Sequence, residues 1–417
     1  MTLLYDLVFI LFIIINIPVY LFKGKFHCGF IRRFGVLPKG VEFHSPIWVH
    51  AVSVGEAVSA RRLIEGLRKI YPEKQFVIST VTPTGNTIAR SIAKEKDFVT
   101  YLPFDISCIT NFVIKRVKPC IFIIIETELW PNLINSLHKN AVPVVVLNAR
   151  ISDASFKGYL ALRKIIKPIL KKVSIFCAQS KSDSLKLSTL GVVPAKIEVT
   201  GNMKFDQDIS SYDSAIYRAE LKLDKGDILL VAGSTHPKEE EVLLDVYKKL
   251  LKPFPYLRLL LAPRHPERSD NISKLVRSKG FLVERVSVLK DKTLKERAVF
   301  ILDTIGNLVK YYSAADIVFV GGSLVKRGGH NILEPAFLNK PVFFGPYIFN
   351  FRDIAQEFLN SQAALQVLNA EGLIKAIKGV LTDNSKADVL VNNAQLVIAA
   401  NRGATDKNIS LIKRLIL

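Results

Sequence analysis

The sequence is poor in cysteine, and nothing brings its cysteines together. Four cysteines occur in 417 residues, and no two have the CxxC spacing. This scatter argues against a disulfide framework and against a zinc site, and it suits a reducing compartment. Low-complexity tracts and repeats of roughly 20–50 residues are also missing, so repeat architectures are excluded. With 49% hydrophobic residues, the chain can fill the cores of two or three domains.

Acidic residues are outnumbered, with 37 Asp and Glu against 58 Lys and Arg and a formal net charge of +21. Such a surplus favours nucleic acid, an anionic membrane surface or a phosphorylated substrate as a partner. No zinc-finger spacing and no aromatic RNA-binding signature accompanies the charge, so we expect no nucleic-acid partner. A membrane-tethered nucleic-acid binder would instead require binding that weakens steeply with salt.

One long apolar run opens the chain, from Leu3 to Phe22. About twenty apolar residues are needed to cross a bilayer, so the run predicts a membrane-anchor helix over residues 1–22. Basic residues follow it, and the positive-inside rule then places the rest of the chain on the cytoplasmic side of the inner membrane. No small-residue cleavage site is evident, which favours a retained anchor over a cleaved signal peptide. The basic residues are Lys23, Lys25, Arg32 and Arg33.

A monotopic helix that lies in one leaflet is the alternative to a spanning anchor. Asp6, Asn16 and Pro18 interrupt the apolar run. Apolar residues also interleave with the basic residues after the run, as in an interfacial helix. These residues are Phe26, Phe30, Ile31 and Phe34. Both alternatives make an anionic membrane surface a partner of the protein.

From Pro46 onward, short apolar strands alternate with helical patterns. The strands are continuously hydrophobic, which indicates burial on both faces of a parallel sheet. This alternation of strands and helices is typical of doubly wound α/β domains. It is interrupted by a polar stretch, residues 200–225, that we interpret as an interdomain linker. Strands are predicted at 47–52, 75–81, 98–102, 120–125, 142–147, 175–178, 227–232, 257–262, 298–302, 316–320 and 341–344.

The sequence therefore predicts an α/β protein with two Rossmann-like domains, at residues 23–205 and 206–390. A helical segment at 391–417 is expected to follow them. Ligands of open α/β sheets bind beyond the carboxyl ends of the strands. The polar residues that follow the strands are thus expected to form two rims that face each other across a cleft.

The densest group of such polar residues is the loop from Gly321 to Glu334. Two glycine pairs flank a basic dipeptide, and His330 and Asn331 come next. Backbone N–H groups and a helix N-terminus attract phosphate, while the carboxylate of Glu334 can accept hydrogen bonds from ribose hydroxyls. We therefore predict a nucleotide site here, the alternative being a tight turn before a capped helix.

Three carboxylates follow predicted strands in the first domain. Glu56 ends a Ser-x-Gly-Glu turn, where it can act as a general base toward a hydroxyl or simply occupy the first turn of a helix. Glu126 and Glu128 are two residues apart, so in extended backbone they share one face. Ionising both is costly, so one can bind a hydroxyl while the other caps the helix expected at Trp130–Pro131. The pattern fits either assignment.

Cationic side chains are found at further strand ends. Arg264 offers a fork of donors to phosphate, and His265 can bond the same group; the alternative is that the two residues, which lie between two prolines, form a surface turn. Lys204, in the polar stretch, can reach a leaving phosphate or a donor carboxylate, or is simply solvated. His236 suits a helix cap as well as a ligand. Asp206-Gln-Asp208 matches the Asp-x-Asp pattern of metal-dependent sugar transferases but lacks their sheet context, so we predict no metal site.

Together these motifs resemble the Kdo transferase family of lipopolysaccharide synthesis (3-deoxy-D-manno-octulosonic acid transferase, lipid IV-A type). Eight motifs in order carry the resemblance, and the set is much more specific than any single motif. They are His50–Glu56, Thr82–Gly85, Glu126–Asn132, Asn148–Ser152, Gly201–Asp206, Ala232–His236, Ala262–Arg268 and Gly321–Pro335. Ile332 departs from the family pattern, which usually has proline there, and this affects the stiffness of the loop.

The resemblance implies an inverting GT-B glycosyltransferase that moves Kdo from CMP-Kdo to lipid IV-A, a phosphorylated and acylated disaccharide. The first domain would bind this acceptor and the second the CMP-sugar. Glu56 would be the general base, and Glu126 and Lys204 would support the transition state. With cationic residues and helix dipoles on the phosphate, no essential metal or other cofactor is expected. CMP contacts would fall on Arg264, His265, Ile305, Gly306, Asn307, Asn331, Ile332, Leu333 and Glu334.

A sugar-nucleotide 2-epimerase with the same two-domain fold is the alternative enzyme. Such enzymes are typically soluble, so the predicted anchor argues against this alternative. Release of free sugar from a UDP-sugar without any acceptor would identify an epimerase.

Overall fold

The computed structural model describes residues 2–22, 29–38, 40–209, 212–289 and 298–416. Lys23, Lys25 and Phe26, which entered the membrane prediction, lie outside these residues. The chain divides into two compact units. The first unit is Met1–Asp208 together with Asn401–Leu417, and the second is Ile209–Ala400.

The first unit is built on a seven-stranded sheet in which all neighbouring strands are parallel. Its strands are β1 (Ile47–His50), β2 (Phe76–Thr80), β3 (Phe98–Tyr101), β4 (Ile121–Ile125), β5 (Val144–Ala149), β6 (Ile175–Ala178) and β7 (Ile197–Val199). Their order is β3-β2-β1-β4-β5-β6-β7. The helices are α1 (Thr2–Phe22), α2 (Val54–Ile70), α3 (Pro83–Ile92), α4 (Ser107–Val117), α5 (Pro131–Lys139), α6 (Asp153–Ala161), α7 (Arg163–Leu170) and α8 (Lys181–Leu190).

The order of the strands at the centre of this sheet indicates where a ligand would bind. Every residue of β4 is fully buried, as expected of a strand covered by helices on both faces. β1 pairs with β2 on one side and with β4 on the other, so the strand order changes direction between β1 and β4. Ligands of open α/β sheets bind beyond the carboxyl ends of the strands at such a switch point. The segments that follow His50 and Ile125 therefore flank the expected site.

The second unit contains another seven-stranded parallel sheet. Its strands are β8 (Ile228–Thr235), β9 (Leu257–Pro263), β10 (Leu282–Arg285), β11 (Ala298–Ile301), β12 (Ile317–Val320), β13 (Val342–Phe344) and β14 (Leu365–Gln366). Their order is β10-β11-β9-β8-β12-β13-β14, which places the switch point between β8 and β12. The helices are α9 (Ser214–Glu220), α10 (Glu239–Leu251), α11 (Ser269–Ser278), α12 (Leu308–Ala314), α13 (Leu333–Phe337), α14 (Arg352–Asn360), α15 (Ala370–Thr382) and α16 (Asn384–Asn401).

The prediction of two parallel-sheet α/β domains is confirmed, and all eleven predicted strands are present within a few residues of their expected bounds. Three strands, β7, β10 and β14, were not predicted. Each lies at an edge of its sheet and is partly exposed. Because these three edge strands are partly open to solvent, they lack the continuous apolar run that made the other strands recognisable, whereas the edge strand β3 is mostly buried and was predicted.

The last helix returns to the first unit. The chain turns at Gly403, which has a φ of +98°, and continues as α17 (Ala404–Lys413). The buried carboxylate of Asp206 accepts hydrogen bonds from the backbone N–H groups of Gly403 at 2.7 Å and Thr405 at 2.6 Å. In the Asp-x-Asp pattern, Asp206 therefore holds the start of a helix. Within the described residues, no group of three or more His, Cys, Asp or Glu side chains is arranged to hold a metal ion.

The N-terminal helix α1 lies against α4 and α5 of the first unit. The Asp6 carboxylate accepts hydrogen bonds from the backbone N–H of Ser107 at 3.0 Å and from the side-chain amide of Asn132 at 2.6 Å. The ring of Phe9 lies 6.5 Å from the ring of Phe104. Asp6, which interrupts the apolar run in the sequence, is thus the polar attachment of this helix to the domain.

The prediction of a membrane-spanning anchor at Leu3–Phe22 is not confirmed. Among the helices of the described chain, none is both long enough and apolar enough to cross a membrane. Many apolar side chains of α1 are nevertheless exposed. They are Leu3, Leu4, Leu7, Val8, Leu11, Phe12, Ile14 and Ile15.

Candidate active site

Glu56 lies in the first turn of α2, directly beyond β1. The hydroxyl of Ser53 caps this helix and accepts the backbone N–H of Glu56 at 3.4 Å. The carboxylate of Glu56 in turn accepts hydrogen bonds from the N–H of Val52 at 2.6 Å and from the Ser53 hydroxyl at 2.8 Å. This reciprocal arrangement is close to a capping box, so Glu56 does stabilise the start of the helix. A role as a general base would be additional to this structural role.

Glu126 follows β4 and adopts a left-handed conformation, with a φ of +64°. Its N–H still donates to the carbonyl of Leu147 at 2.8 Å, which continues the pairing with β5. The expectation of extended backbone from Glu126 to Glu128 is therefore wrong. Non-glycine residues rarely adopt this conformation, and such residues concentrate at functional sites.

The Glu126 carboxylate accepts a hydrogen bond from the ammonium group of Lys204 at 2.9 Å. Lys204 belongs to a 3₁₀ turn, Met203–Asp206, which is held against the end of β5. The side-chain oxygen of Asn148 accepts the N–H of Met203 at 3.0 Å. Lys204 is thus fixed within the first unit, and its interpretation as a solvated linker lysine is wrong.

Glu128 completes a cluster of three carboxylates and one ammonium group. Burial, with help from the charges of Glu56 and Glu126, raises the pKa of Glu128 to about 7. Burial raises the pKa of Glu56 as well, and the charge of Glu126 adds to the effect. Carboxylates that cannot all ionise together share a proton, which makes them suited to take a proton from a hydroxyl near neutral pH. We call Glu56, Glu126, Glu128 and Lys204 the carboxylate cluster.

Neither Glu126 nor Glu128 caps α5, contrary to expectation. The N–H groups of Asn132 and Leu133 donate to the two oxygens of Asp105, at 3.2 and 2.7 Å. Asp105 follows β3, so no spacing within the Glu126–Asn132 motif could have indicated it. Both glutamates are thereby left for the cluster.

In the second unit, the first part of the Gly321–Glu334 loop binds a carboxylate of the protein itself. The buried carboxylate of Glu239 accepts hydrogen bonds from the N–H groups of Gly322 at 2.6 Å, Ser323 at 3.0 Å and Leu324 at 2.8 Å. It also accepts the N–H of His236 at 3.0 Å. The expectation that these glycine-rich N–H groups cradle a ligand phosphate is therefore wrong for Gly322 to Leu324.

Two histidines and several arginines surround this loop. His236 follows β8, and the plane of its ring lies nearly parallel to that of His330, with an interplanar angle of 5°. His265 lies with its ring 6.1 Å from that of His236. Arg264 donates its backbone N–H to Thr235 at 3.0 Å, which places the Arg264-His265 pair at the end of β8. The second unit thus concentrates cationic and protonatable groups beyond β8 and β9.

The other residues expected to contact CMP form two turns. Ile305 is 83% exposed, and Gly306 has a φ of +84° with no atom within 4 Å of the place a Cβ would occupy. The side chain of Asn307 donates to Thr304 at 3.0 Å. This turn before α12 therefore presents an open apolar surface.

The second turn begins α13. The side-chain amide of Asn331 donates to the Glu334 carboxylate at 3.2 Å, and its oxygen accepts the N–H of Leu333 at 3.1 Å. Burial raises the pKa of Glu334. The side chains of Ile332 and Leu333 are buried in the core, so a ligand contact at these two residues would have to use the main chain.

Comparisons with known proteins decide the family. The family profile described as "3-Deoxy-D-manno-octulosonic-acid transferase (kdotransferase)" matches residues 29–207, and "Glycosyl transferases group 1" matches residues 213–397. A 3-deoxy-D-manno-octulosonic acid transferase of Haemophilus influenzae is 34% identical over 373 residues, which cover 88% of this chain and 86% of that protein. The chain belongs to the Kdo transferase family. It is a Kdo glycosyltransferase.

Other relatives of this Kdo transferase agree. A 3-deoxy-D-manno-octulosonic acid transferase of Chlamydophila psittaci is 31% identical over 424 residues, covering 100% of this chain and 96% of that protein. The UDP-GlcNAc 2-epimerase of Neisseria meningitidis has a similar structure, with a TM-score of 0.63 and 12% identity over 88% of this chain and 100% of that one. At this identity the similarity shows the GT-B-like fold alone, so it does not favour the epimerase alternative.

Several residues of the Kdo transferase site were not recognised as such in the sequence. Glu128 was expected only to bind a hydroxyl or to cap a helix, and His330 was noted only as one polar residue of the Gly321–Glu334 loop. The carboxylates of Glu239 and Asp105 accept hydrogen bonds from backbone N–H groups that are distant in sequence, and no sequence spacing indicates such contacts. Only the density of polar residues within the Gly321–Glu334 loop could have singled out His330.

Proposed function

We propose that this Kdo transferase moves Kdo from CMP-Kdo to lipid IV-A in lipopolysaccharide synthesis, with inversion at the anomeric carbon. The observation that carries the proposal is the carboxylate cluster at the carboxyl ends of β1 and β4. It combines glutamates of raised pKa with a lysine, 2.9 Å from Glu126, at the switch point of the sheet. Such a group can deprotonate a sugar hydroxyl.

In this mechanism Glu56 takes the proton of a primary hydroxyl of the acceptor disaccharide. The hydroxyl oxygen then forms a bond to the anomeric carbon of Kdo, and the bond from that carbon to the phosphate oxygen of CMP breaks. CMP leaves with the electron pair of that bond. A single displacement of this kind inverts the anomeric carbon. The hydrogen bonds from Val52 and Ser53 would fix the orientation of the Glu56 carboxylate.

Lys204 and Glu126 would support the transition state as a unit. The ammonium of Lys204 offers positive charge to the donor carboxylate or to the leaving phosphate. Glu126 would hold that ammonium in place through the 2.9 Å contact, and the hydrogen bond from its own N–H to Leu147 holds the backbone that carries it. Glu128, with a pKa of about 7, provides a second proton acceptor in the same cluster.

The second unit would bind CMP-Kdo. Arg264 and His265 would contact the phosphate, because guanidinium groups match its oxygens in geometry and charge. Ile305, Gly306 and Asn307 would contact the base, and Asn331 and Glu334 the ribose hydroxyls. Ile332 and Leu333 would contribute main-chain contacts. Because fixed cationic groups neutralise the phosphate in this scheme, we propose a reaction without an essential divalent metal.

The reaction is tested by mass spectrometry of the product formed from lipid IV-A and CMP-Kdo in EDTA-containing buffer. We expect the acceptor mass to rise by one or more Kdo units. Glu56→Gln is expected to abolish transfer while CMP binding survives, because the amide cannot accept a proton. Glu65→Gln, an exposed change in the same helix, is the matched control. Turnover by the Glu56→Gln enzyme would remove Glu56 as the base, and an unchanged acceptor mass with the wild type would refute the reaction.

We further propose that an anionic membrane surface holds the enzyme near its lipid acceptor, on the cytoplasmic side of the inner membrane. The exposed apolar residues of α1 support this, since neighbouring apolar side chains that are left exposed together mark interaction sites. Ile31 and Phe34 extend the patch, because Phe34 packs on Phe104, the same ring that Phe9 contacts. The net charge of +21 adds attraction to anionic lipids.

Flotation with vesicles rich in phosphatidylglycerol tests this attachment. We expect the double variant Leu4→Ser with Leu7→Ser to float several-fold less than the wild type. Leu368→Ser with Leu396→Ser removes two equally exposed leucines from the second unit and is expected to float normally. Equal flotation of all three proteins would refute docking through α1.

A further inference from the structure

A pair of histidines in the second unit is arranged around a single shared hydrogen. The Nε2 atoms of His236 and His330 are 3.0 Å apart, and the two rings are nearly parallel, with their centroids 5.2 Å apart, so they meet edge to edge through these nitrogens. Gly322 packs against both rings: a Cβ there would lie 2.9 Å from His330 and 3.3 Å from His236. The glycine thus leaves the space that the histidine pair occupies.

Hydrogen counting limits what this pair can do. An Nε2–H···Nε2 bond requires one ring to carry its hydrogen on Nε2 while the other keeps a lone pair there. In the neutral pair, the donor ring therefore has a bare Nδ1. One added proton at that Nδ1 makes an imidazolium and keeps the shared hydrogen bond, whereas a second added proton would break it. The pair is consequently built to accept one proton.

Burial, together with the charges around the pair, keeps it neutral in the free enzyme. Arg264 and His265 follow β9, and Arg327 belongs to the Gly321–Glu334 loop. Burial, assisted by Arg327 and further positive groups, lowers the pKa of His236 to about 4. Burial and the neighbouring His236 likewise lower the pKa of His330 to about 4.

Two carboxylates and a further arginine complete the surroundings of the pair. Glu239, on α10, accepts the backbone N–H of His236 as well as those of the loop. Glu240, on the same helix, pairs with Arg268 at 2.9 Å, so the two charges of that pair largely cancel. The positive charges that lower the two pKa values include the guanidinium groups of Arg264 and Arg327, which are also groups suited to bind phosphate.

We propose that the His236–His330 pair takes up one proton when the phosphate of the nucleotide binds beside Arg264, so that donor binding is proton-linked. This inference rests on the proposed binding of a CMP-sugar by the second unit. A phosphate anion offsets the arginine charges that add to burial in keeping the pair neutral, and it accepts a hydrogen bond better from an imidazolium than from an imidazole. The two histidines are positioning residues for the phosphate in this scheme.

The size of the effect follows from linkage. If phosphate binding returns the pKa of the pair from about 4 to the ordinary histidine value of about 6.5, roughly 0.75 proton is taken up at pH 6 and almost none at pH 8. Affinity then rises about fourfold from pH 8 to pH 6. A phosphate held only by arginines would show neither effect.

The test is titration calorimetry of the full chain with cytidine 5′-(methyl phosphate). This diester carries one fixed negative charge and does not titrate near neutral pH, so any proton uptake belongs to the protein. Binding is measured at pH 6 and pH 8, each in two buffers of different ionisation enthalpy, which yields the number of protons taken up. The double variant His236→Gln with His330→Gln is compared with His138→Gln, an exposed histidine of the first unit.

We expect the wild type and the His138→Gln enzyme to take up a proton at pH 6, and the double variant to take up none and to bind equally at both pH values. Binding by the wild type without proton uptake would overturn the inference while leaving the donor assignment intact. Absence of any binding would instead overturn the proposed function. If the double variant does not fold, NMR spectra of the wild type labelled with ¹⁵N-histidine replace it. We expect one ring of the pair to become an imidazolium when the diester binds. Two rings that stay neutral would refute the proposal.

Discussion

Acid should destabilise the first unit through one buried histidine. His50 is fully buried at the end of β1, and its Nδ1 lies 3.1 Å from the carbonyl oxygen of Ser79. A carbonyl only accepts, so Nδ1 carries the hydrogen and Nε2 keeps its lone pair. That Nε2 is buried and has no hydrogen-bond partner within the described chain. Protonation would therefore bury a charged N–H group without an acceptor.

The magnitude can be worked from the pKa. Burial lowers the pKa of His50 to about 3, against an ordinary histidine value of about 6.5 in the unfolded chain. The unfolded state therefore binds more protons at every pH between these values, and stability falls as the pH falls through this window. Between pH 7 and pH 5 the loss from His50 alone is about 2 kcal/mol.

Urea unfolding followed by tryptophan fluorescence measures this loss in the first unit alone. The chain has two tryptophans, and both Trp48 and Trp130 belong to that unit. The indole of Trp48 donates to the same Ser79 whose hydroxyl lies 3.0 Å from His50, so it reports from next to the titrating group. Asparagine can keep a donor near the Nδ1 position, and His50→Asn is therefore the test variant.

We expect the wild type to lose about 2 kcal/mol more than His50→Asn between pH 7 and pH 5, because only the wild type must deprotonate His50 to fold. His138→Asn, an exposed change on α5, is the control and should keep the wild-type pH dependence. Carboxylates also titrate in this range, but they act equally in all three proteins and cancel in the comparison. Identical pH dependence of the wild type and His50→Asn would refute the assignment of a neutral, buried His50.

Two further predictions concern the first unit. Lys204→Met should lower the rate of transfer and move the acidic limb of the pH–rate profile to higher pH, because the Lys204 charge lowers the pKa of Glu56. If the acidic limb does not move, the cluster does not act as one titrating group. Asp206→Asn should cost about 1–3 kcal/mol in the same fluorescence assay, because one amide oxygen replaces a carboxylate that holds Gly403 and Thr405. Activity that requires added Mg²⁺ in the wild type and is lost in this variant would contradict the structural role of Asp206.

Most of the fold was predictable because burial on both faces leaves a plain signal in sequence. β4, for example, is five consecutive apolar residues that end at the polar Glu126. The edge strands β7 and β14 are short and half exposed, so their residues differ little from those of loops. The return of α17 to the first unit depends on Asp206 meeting residues nearly two hundred positions away, and local periodicity carries no such information.

The candidate site was predictable in outline and less so in its contacts. Strand ends located Glu56, Glu126 and Arg264, because the doubly wound topology places ligands there. The left-handed backbone of Glu126 and the contact from Lys204 to Glu126 arise from packing between separate segments. The histidine pair likewise joins residues 94 positions apart in sequence.

The internal carboxylate of Glu239 has a consequence for catalytic turnover. Its hydrogen bonds satisfy the N–H groups of Gly322, Ser323 and Leu324 without any ligand, so that part of the loop is preorganised in the empty enzyme. The entropy of ordering these residues is then lost during folding, where many other contacts offset it, and not at each encounter with the donor. When the nucleotide product leaves, these N–H groups likewise keep their hydrogen bonds to Glu239, so none of them is left without an acceptor. The loop can therefore release one molecule and receive the next without refolding.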